Sequence, residues 1–396
     1  MQDRLKKIVS NKPLILSIFI VLALAASIQS LIGTKTFQGG TIEYSRYNNY
    51  IIFNKSFEHL KNNQDLYVLY PEEHWDLYKY TPTFSVFFGV FNMLPDWLGL
   101  SLWNLLNALV LLFAIYYLPR LSVYQKGLIS LIVLIELMTS MQNEQSNALI
   151  AGLMVLSFGL LEKDKTFWAS LCLVFSVFIK LFGLVGFALF LFYPKKWKAV
   201  LYTLFWIGVL FVSPLLFVDF EQYMCLFSSY LDLLRNDHDT SYGYSVMGWI
   251  HSWFSVEIHK NRIVALGILI FLLPLYNLKM YKAFEYRSLI VSSILIWVVI
   301  FNHKAESPTF ILAMTGVALW FVQSSKPISM LNRILFISAF VFTSLSPTDI
   351  FPRFLREEYV KPYTLKAVPC ILIWVKIIYD LLTLKSKDNH EIQHEI

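Results

Sequence analysis

Long apolar runs, broken by short polar stretches, succeed one another along nearly the whole chain. The first covers about Leu14 to Ile32, and others follow at roughly Pro82–Pro95, Trp97–Leu118, Gly127–Met141, Ala148–Leu161, Phe167–Ile179 and Leu181–Tyr193. The series continues at Ala199–Phe217, Ile263–Leu278, Ser288–Phe301, Thr309–Val322, Ile334–Ser346 and Ala367–Leu384. Runs of this kind predict helices that are apolar all round, which bury themselves in lipid or in one another. Several are shorter than the roughly twenty residues a full crossing needs, so some stop partway or tilt inside the bundle. The expected fold is an all-α polytopic membrane bundle of about 11–13 hydrophobic helices. It forms one transmembrane domain over residues 1–396, with 14–32 as first helix, 33–81 as an outer loop, 82–384 as the remaining helices and 385–396 as a tail.

The polar segment at 33–81 breaks the pattern. Within it, Tyr50, Phe53, Phe57 and Leu60 recur at helical spacing, with Asn54, Lys55, Glu58 and Lys61 largely opposite. That pattern predicts an amphipathic helix lying at the membrane surface. The segment ends on Pro71-Glu-Glu-His-Trp-Asp-Leu-Tyr-Lys-Tyr-Thr-Pro82, which packs three carboxylates, a histidine and a lysine into a dozen positions. If this stretch were helical, the spacing of three between Glu73 and Asp76 would put both on one face.

Composition narrows the class. With 57% hydrophobic and 15% charged residues, the 396-residue chain has more apolar surface than a soluble core could hide. Three widely separated cysteines, Cys172, Cys225 and Cys370, fit neither a disulfide framework nor a zinc site. The formal charge of +6 needs no nucleic-acid partner, because lysines and arginines at cytoplasmic helix ends supply it. Arg4, Lys6, Lys7 and Lys12 precede the first helix, and basic residues mark alternate loops at 120–126, 163–165, 195–198, 279–287, 326–333 and 385–387. The positive-inside rule assigns these loops and both termini to the cytoplasm, and the other loops to the outside. The scheme closes only if Pro82–Leu118 makes one net crossing, so one of its two segments is expected to be re-entrant or interfacial.

This orientation gathers the unexplained polar residues on one side. Gln142-Asn-Glu-Gln-Ser-Asn147, Lys180, the loop from Val218 to Asn261, and Asn302-His-Lys-Ala-Glu-Ser307 all fall on the outer side with the Pro71–Pro82 stretch. Ionisable groups at membrane depth are costly and mark function by default. Lys180, flanked by Phe-Ile and Leu-Phe, must snorkel to an interface or meet an anion. His303, Lys304 and Glu306, just ahead of Pro308, suit a sugar phosphate. Lys79, Tyr78, Tyr80, Gln142, Gln145, Asn147, Asn48 and Asn49 complete the candidate binding set. Asp237-His-Asp239 looks like a metal-holding acidic pair, but no soluble nucleotide-binding domain or glycine-rich phosphate loop accompanies it. No cofactor is therefore expected, and a divalent metal is not indicated.

The order of these parts resembles glycosyltransferase family 87, polytopic enzymes of the GT-C fold that include bacterial polyprenyl-phosphomannose-dependent mannosyltransferases. The resemblance rests on Asn48-Asn-Tyr-Ile-Ile-Phe-Asn-Lys-Ser-Phe57, Gln64-Asp-Leu-Tyr67 and Tyr78-Lys-Tyr-Thr-Pro82. Gln145-Ser-Asn147, Ile179-Lys-Leu-Phe182 and Asn302-His-Lys-Ala-Glu-Ser-Pro308 extend it. It implies transfer of a hexose or pentose, mannose-like favoured, from a polyprenyl-phosphate donor to a lipid or glycan acceptor. The reaction would run on the outer face with inversion. It also implies a carboxylate base for the acceptor hydroxyl and cations for the departing phosphate.

One departure bears on mechanism. Where the family carries an aspartate just before the amphipathic helix, this chain has Asn48 and Asn49, and an amide is no base at neutral pH. The base is expected at Asp76 or Glu73, ahead of Glu43. Two other readings stay open: a transporter or flippase of a lipid-linked sugar, and a non-catalytic scaffold for envelope assembly. The first would be expected to carry internal repeats, and none is visible.

Overall fold

The computed structural model describes residues 2–36, 42–236, 241–257, 259–324 and 327–385. These form two compact units, Met1–Ser241 with Glu306–Leu312, and Tyr242–Ala305 with Ala313–Ile396. Nearly all regular structure is helical, as the apolar runs predict. The exception is a short antiparallel pair, β1 (Thr34–Thr36) and β2 (Glu43–Ser45), with Lys35 opposite Tyr44.

In the first unit, α1 (Gln2–Val9) leads into α2 (Lys12–Leu31). Asn11 caps α2 by accepting from the Leu14 amide, and Pro13 sits where no helical donor is lost. Ile32 caps the end of the helix, and Gly33 after it, at a φ of +134°, lets the chain turn into the hairpin. α3 (Asn48–Lys61) is the helix expected in the polar segment. Its apolar face does not stand alone: Tyr50 packs on Phe88, and Phe53 packs on Tyr80, Phe84, Phe88 and Trp103. One residue departs from the expected amphipathic division. Asn54 is buried, because its amide reaches the Tyr50 hydroxyl and the Asp96 carboxylate, both at 3.3 Å.

Helices α4 (Pro82–Asn92) and α5 (Asp96–Tyr117) follow. Thr81 caps α4 through the Phe84 amide, and Pro82 opens it. Eleven residues rise only about 16 Å, far short of a hydrocarbon core, so α4 cannot cross alone. The run at 127–141 is divided into α6 (Val123–Ile132) and α7 (Leu134–Gln142), bent by 45° at Val133. A capping box between Ser122 and Gln125 fixes the start of α6. α8 (Asn147–Leu161) lies against α5 so closely that a Cβ on Gly152 would come within 2.9 Å of the Leu111 nitrogen. α9 (Thr166–Ile179), a 3₁₀ stretch at Leu181–Phe192, α10 (Lys196–Val212) and α11 (Phe220–Asn236) complete the unit.

The second unit holds α12 (Val246–Phe254), α13 (Lys260–Leu272, prolonged in 3₁₀ winding to Met280) and α14 (Phe284–Ile300). It continues with α15 (Phe310–Gln323) from Ala313 onward and α16 (Met330–Ser338), which widens into π winding to Leu345. The short α17 (Arg353–Leu355) and α18 (Val368–Thr383) end it. Trp374 donates to Ser293, and Trp320 to Asp380, tying α18 to α14 and α15.

Among the described residues, four helices are long and apolar enough to cross a membrane: Lys12–Leu31, Asp96–Tyr117, Lys196–Leu216 and Lys260–Met280. The bent pair α6–α7 makes a fifth if it counts as one span. The other apolar runs are shorter helices, which agrees with the short lengths already legible in the sequence. Lys196–Leu216 and Lys260–Met280 each bury only 11% of their most apolar window within the protein. Their large apolar surface suits lipid as the surrounding medium.

Candidate functional site

The polar centre of the first unit is built where four chain segments meet. α9 stops at Ile179, and Lys180 leaves the helix in an extended conformation with φ −141° and ψ 144°. Its ammonium donates to Gln145 Oε1 at 2.9 Å and to Asn147 Oδ1 at 3.1 Å, two acceptors from the α7–α8 turn. The Asn147 amide donates to the same Gln145 oxygen at 2.9 Å, and the Gln145 amide donates to Glu306 Oε2 at 3.2 Å. Tyr80 closes the group from the fourth segment, with the ammonium 5.4 Å from its ring centroid. Burial pushes the Lys180 ammonium down to about 8, while Glu306 opposes that shift and Lys79 adds to it. Lys180 therefore meets polar partners rather than only snorkelling.

Local order holds these parts in place. The Tyr78 hydroxyl donates to the Thr81 carbonyl at 2.8 Å, and the Tyr67 hydroxyl to the Tyr80 carbonyl at 2.9 Å. The Thr81 hydroxyl donates to the Phe178 carbonyl, which ties the end of the polar segment to the last turn of α9. Stacking of Tyr80 on Phe84 at 4.7 Å continues into the Phe53–Phe88–Trp103 cluster. Burial keeps the Tyr80 hydroxyl well above the usual range, so it remains a donor. Asp76 and Lys79 act electrostatically on Tyr80, as does Glu306. Asp76 and Lys79 form an ion pair at 3.0 Å, each about half exposed.

Other candidates are engaged elsewhere. Residues 70–81 form turns rather than a helix, so Glu73 and Asp76 do not share a helical face. Glu73 lies 3.0 Å from His59 Nε2, and His59 stacks on Tyr70 at 3.8 Å. Burial pushes His59 down, with Glu73 partly offsetting it. Glu43 is exposed on β2 and accepts from Thr34. Asn48 is buried and accepts from the Trp75 amide at 3.2 Å, while the Asn49 amide donates to the Asn143 carbonyl at 2.9 Å. Gln142 is exposed and donates to Gln29. Glu306 belongs to the first unit, whereas His303 and Lys304 belong to the second, where Asn302 accepts from the Lys304 amide at 2.9 Å. Asp237-His-Asp239 lies outside the described residues. Among the described residues no cluster of His, Cys, Asp or Glu has the arrangement of a metal site.

Glu144 is the residue whose role the sequence pattern conceals. It sits in the turn between α7 and α8 at a φ of +48°, and only 1% of its surface is exposed. Ser30 of α2 donates to its carboxyl at 2.6 Å, and Trp103 of α5 donates to its backbone carbonyl at 2.7 Å. Burial pushes the carboxyl up to about 8, with Ser30 and Lys35 opposing. Glu144 thus anchors the turn that presents Gln145 and Asn147 to Lys180. Its only signal in the sequence is membership of an unbroken polar run.

Residues 78–325 match glycosyltransferase family 87, a stretch that contains Tyr80, Gln145, Asn147, Lys180 and Glu306 and begins just after Asp76. No curated protein matches the sequence. Among solved structures, the crystal structure of ArnT from Cupriavidus metallidurans bound to undecaprenyl phosphate is similar at 16% identity, with a TM-score of 0.38. That similarity covers 92% of this chain and 76% of the other. Since the family match spans well over half of the sequence and encloses the polar centre, this integral membrane protein belongs to glycosyltransferase family 87.

Proposed function

We propose that the protein transfers a hexose or pentose, mannose-like favoured, from a polyprenyl-phosphate carrier to a lipid or glycan acceptor. The transfer takes place on the extracytoplasmic face of a bacterial inner membrane, with inversion. The observation that carries the reading is Lys180, a cation held by Gln145 and Asn147 beside Glu306 and Tyr80. As the bond from the anomeric carbon to the carrier's phosphate oxygen breaks, negative charge grows on that phosphate. A cation fixed beforehand in a site of low polarity stabilises such charge without reorganising. Gln145 and Asn147 orient the ammonium, and Glu306 balances it when no donor is bound.

The base in this reading is Asp76, ahead of Glu73 and Glu43. Asp76 is half exposed, and it acts electrostatically on Tyr80 at the polar centre. Its carboxylate would take the acceptor hydroxyl's proton while that oxygen forms the new bond to the anomeric carbon. Lys79 positions it. Glu73 is the weaker candidate because His59 already occupies it.

The test is transfer of radiolabelled sugar from polyprenyl-phosphate donors by purified protein. Asp76→Asn and Lys180→Gln are each expected to lower the rate by about 10²-fold or more, with Glu73→Gln far milder. Activity that survives Asp76→Asn unchanged overturns the base. Absence of transfer with every donor and acceptor overturns the enzymatic reading in favour of a carrier or scaffold role.

A further inference from the structure

A second polar feature lies at the opposite end of α9, away from Lys180. There a cavity of about 310 Å³ opens between the α8–α9 turn and the start of α10, lined by Asp164, Lys165, Trp168, Lys195, Lys198 and Tyr202, among others. Lys195 is paired with Asp164. Lys165 and Lys198 are exposed, and among the described residues neither is in an ion pair, although the Lys165 ammonium stands 5.9 Å from the centroid of the Tyr117 ring. The cavity therefore carries an uncompensated positive charge. Around it stand tryptophans at the water boundary, Trp168 at 53% and Trp197 at 82% exposure.

What lies below the lysines identifies the ligand. Lys198, Leu201, Tyr202 and Phe205 fall at helical spacings of three, four and seven, so they form one stripe down α10. Leu201 and Phe205 are 63% and 53% exposed, and Ala199 is the only buried residue of the whole helix. A free anion would need the cations alone. Cations set directly above an open apolar stripe suit an amphiphile, with an anionic head and a hydrocarbon tail.

We propose that this cavity is a binding site for an anionic phospholipid. Its phosphate is held by Lys165 and Lys198, and an acyl chain lies along the Leu201–Phe205 face of α10. Because the lysines belong to the basic loops assigned to the cytoplasm, the lipid comes from the inner leaflet. The site is separate from sugar transfer and does not depend on it.

The full-length protein, reconstituted in phosphatidylcholine vesicles, is probed with phosphatidylglycerol or phosphatidylcholine brominated along the acyl chain. The fluorescence difference between wild type and Trp168→Phe isolates the emission of Trp168. Brominated phosphatidylglycerol is expected to quench it at much lower mole fraction than brominated phosphatidylcholine. That preference should fall about fivefold for each of Lys165→Gln and Lys198→Gln, the weight of one lysine near an anionic lipid. Both lysines are exposed, so the variants fold, and Lys55→Gln should leave the preference intact. Equal quenching by the two lipids, a preference retained in the double variant, or an equal loss in Lys55→Gln overturns the site. Release of the lipid by millimolar inorganic phosphate overturns the lipid assignment, since it would reveal a plain anion site.

Discussion

Replacing Glu144 with glutamine tests how the turn beside Lys180 is held. In the folded protein the Glu144 carboxyl is raised from 4.5 to about 8 by burial. The folded state thus keeps a proton that the unfolded chain releases above about 4.5. Stability from this group is fully present below that value, declines as pH rises and levels off above about 8. At about 1.4 kcal/mol per pH unit, the whole span amounts to something on the order of 5 kcal/mol. Glutamine stays neutral in both states and can still accept from Ser30, so Glu144→Gln removes the slope. Thermal melts from pH 5 to 9 should show the two proteins alike at the acid end. They should then diverge, with Glu144→Gln the more stable by several degrees near pH 8. Glu144→Ala, which leaves the Ser30 hydroxyl unpartnered, should cost about 1–3 kcal/mol at every pH. A wild type that is flat across this range, or a glutamine variant with the same slope, would refute the reasoning.

Two further outcomes follow from contacts already described. Gly152→Ala forces a methyl against the Leu111 backbone and should cost about 1–3 kcal/mol of stability. Gly208→Ala in α10, with nothing within 4 Å, should be neutral or gain up to about 1 kcal/mol, and parallel melts compare the pair. Glu73→Gln removes the carboxylate that partly offsets the burial of His59, so the His59 titration should move lower still, as read by NMR of the ring carbons. An unmoved or higher value would mean that the 3.0 Å contact does not persist in solution.

The sequence shows the helices well because lipid imposes a simple rule: a run either is apolar or is not. Trp97–Leu118 and Asp96–Tyr117 differ by a residue at each end, and Phe167–Ile179 is one residue shorter than the helix observed. What fails is whatever depends on partners distant in the chain. Nothing local distinguishes Asn54 from Lys55, yet one is buried because Asp96 and Asn92 come to meet it. The spacing of Glu73 and Asp76 gives them a common face only if Pro71–Pro82 is helical, and the stretch instead runs through turns and bends, with the Tyr78 hydroxyl on the Thr81 carbonyl and the Thr81 hydroxyl on the Phe178 carbonyl. Gln145, Asn147, Lys180 and Glu306 were legible as polar intrusions into apolar context, and the structure joins them. Glu144 was legible only as a neighbour, because burial is a property of α2 and α5 closing over it.

Glu306 also sets an order of events during synthesis. The first unit takes almost all its residues from before Ser241, then receives only Glu306–Leu312 from later in the chain. A nascent chain halted at Ser241 already holds Lys180, Gln145 and Asn147, but it has not yet been given their carboxylate. The cation must wait through some sixty-five more residues for its counter-charge. Until that segment arrives, the protein cannot finish its own polar centre, and a fragment cut before Glu306 would hold the sequence of α1 to α11 without the carboxylate that balances Lys180.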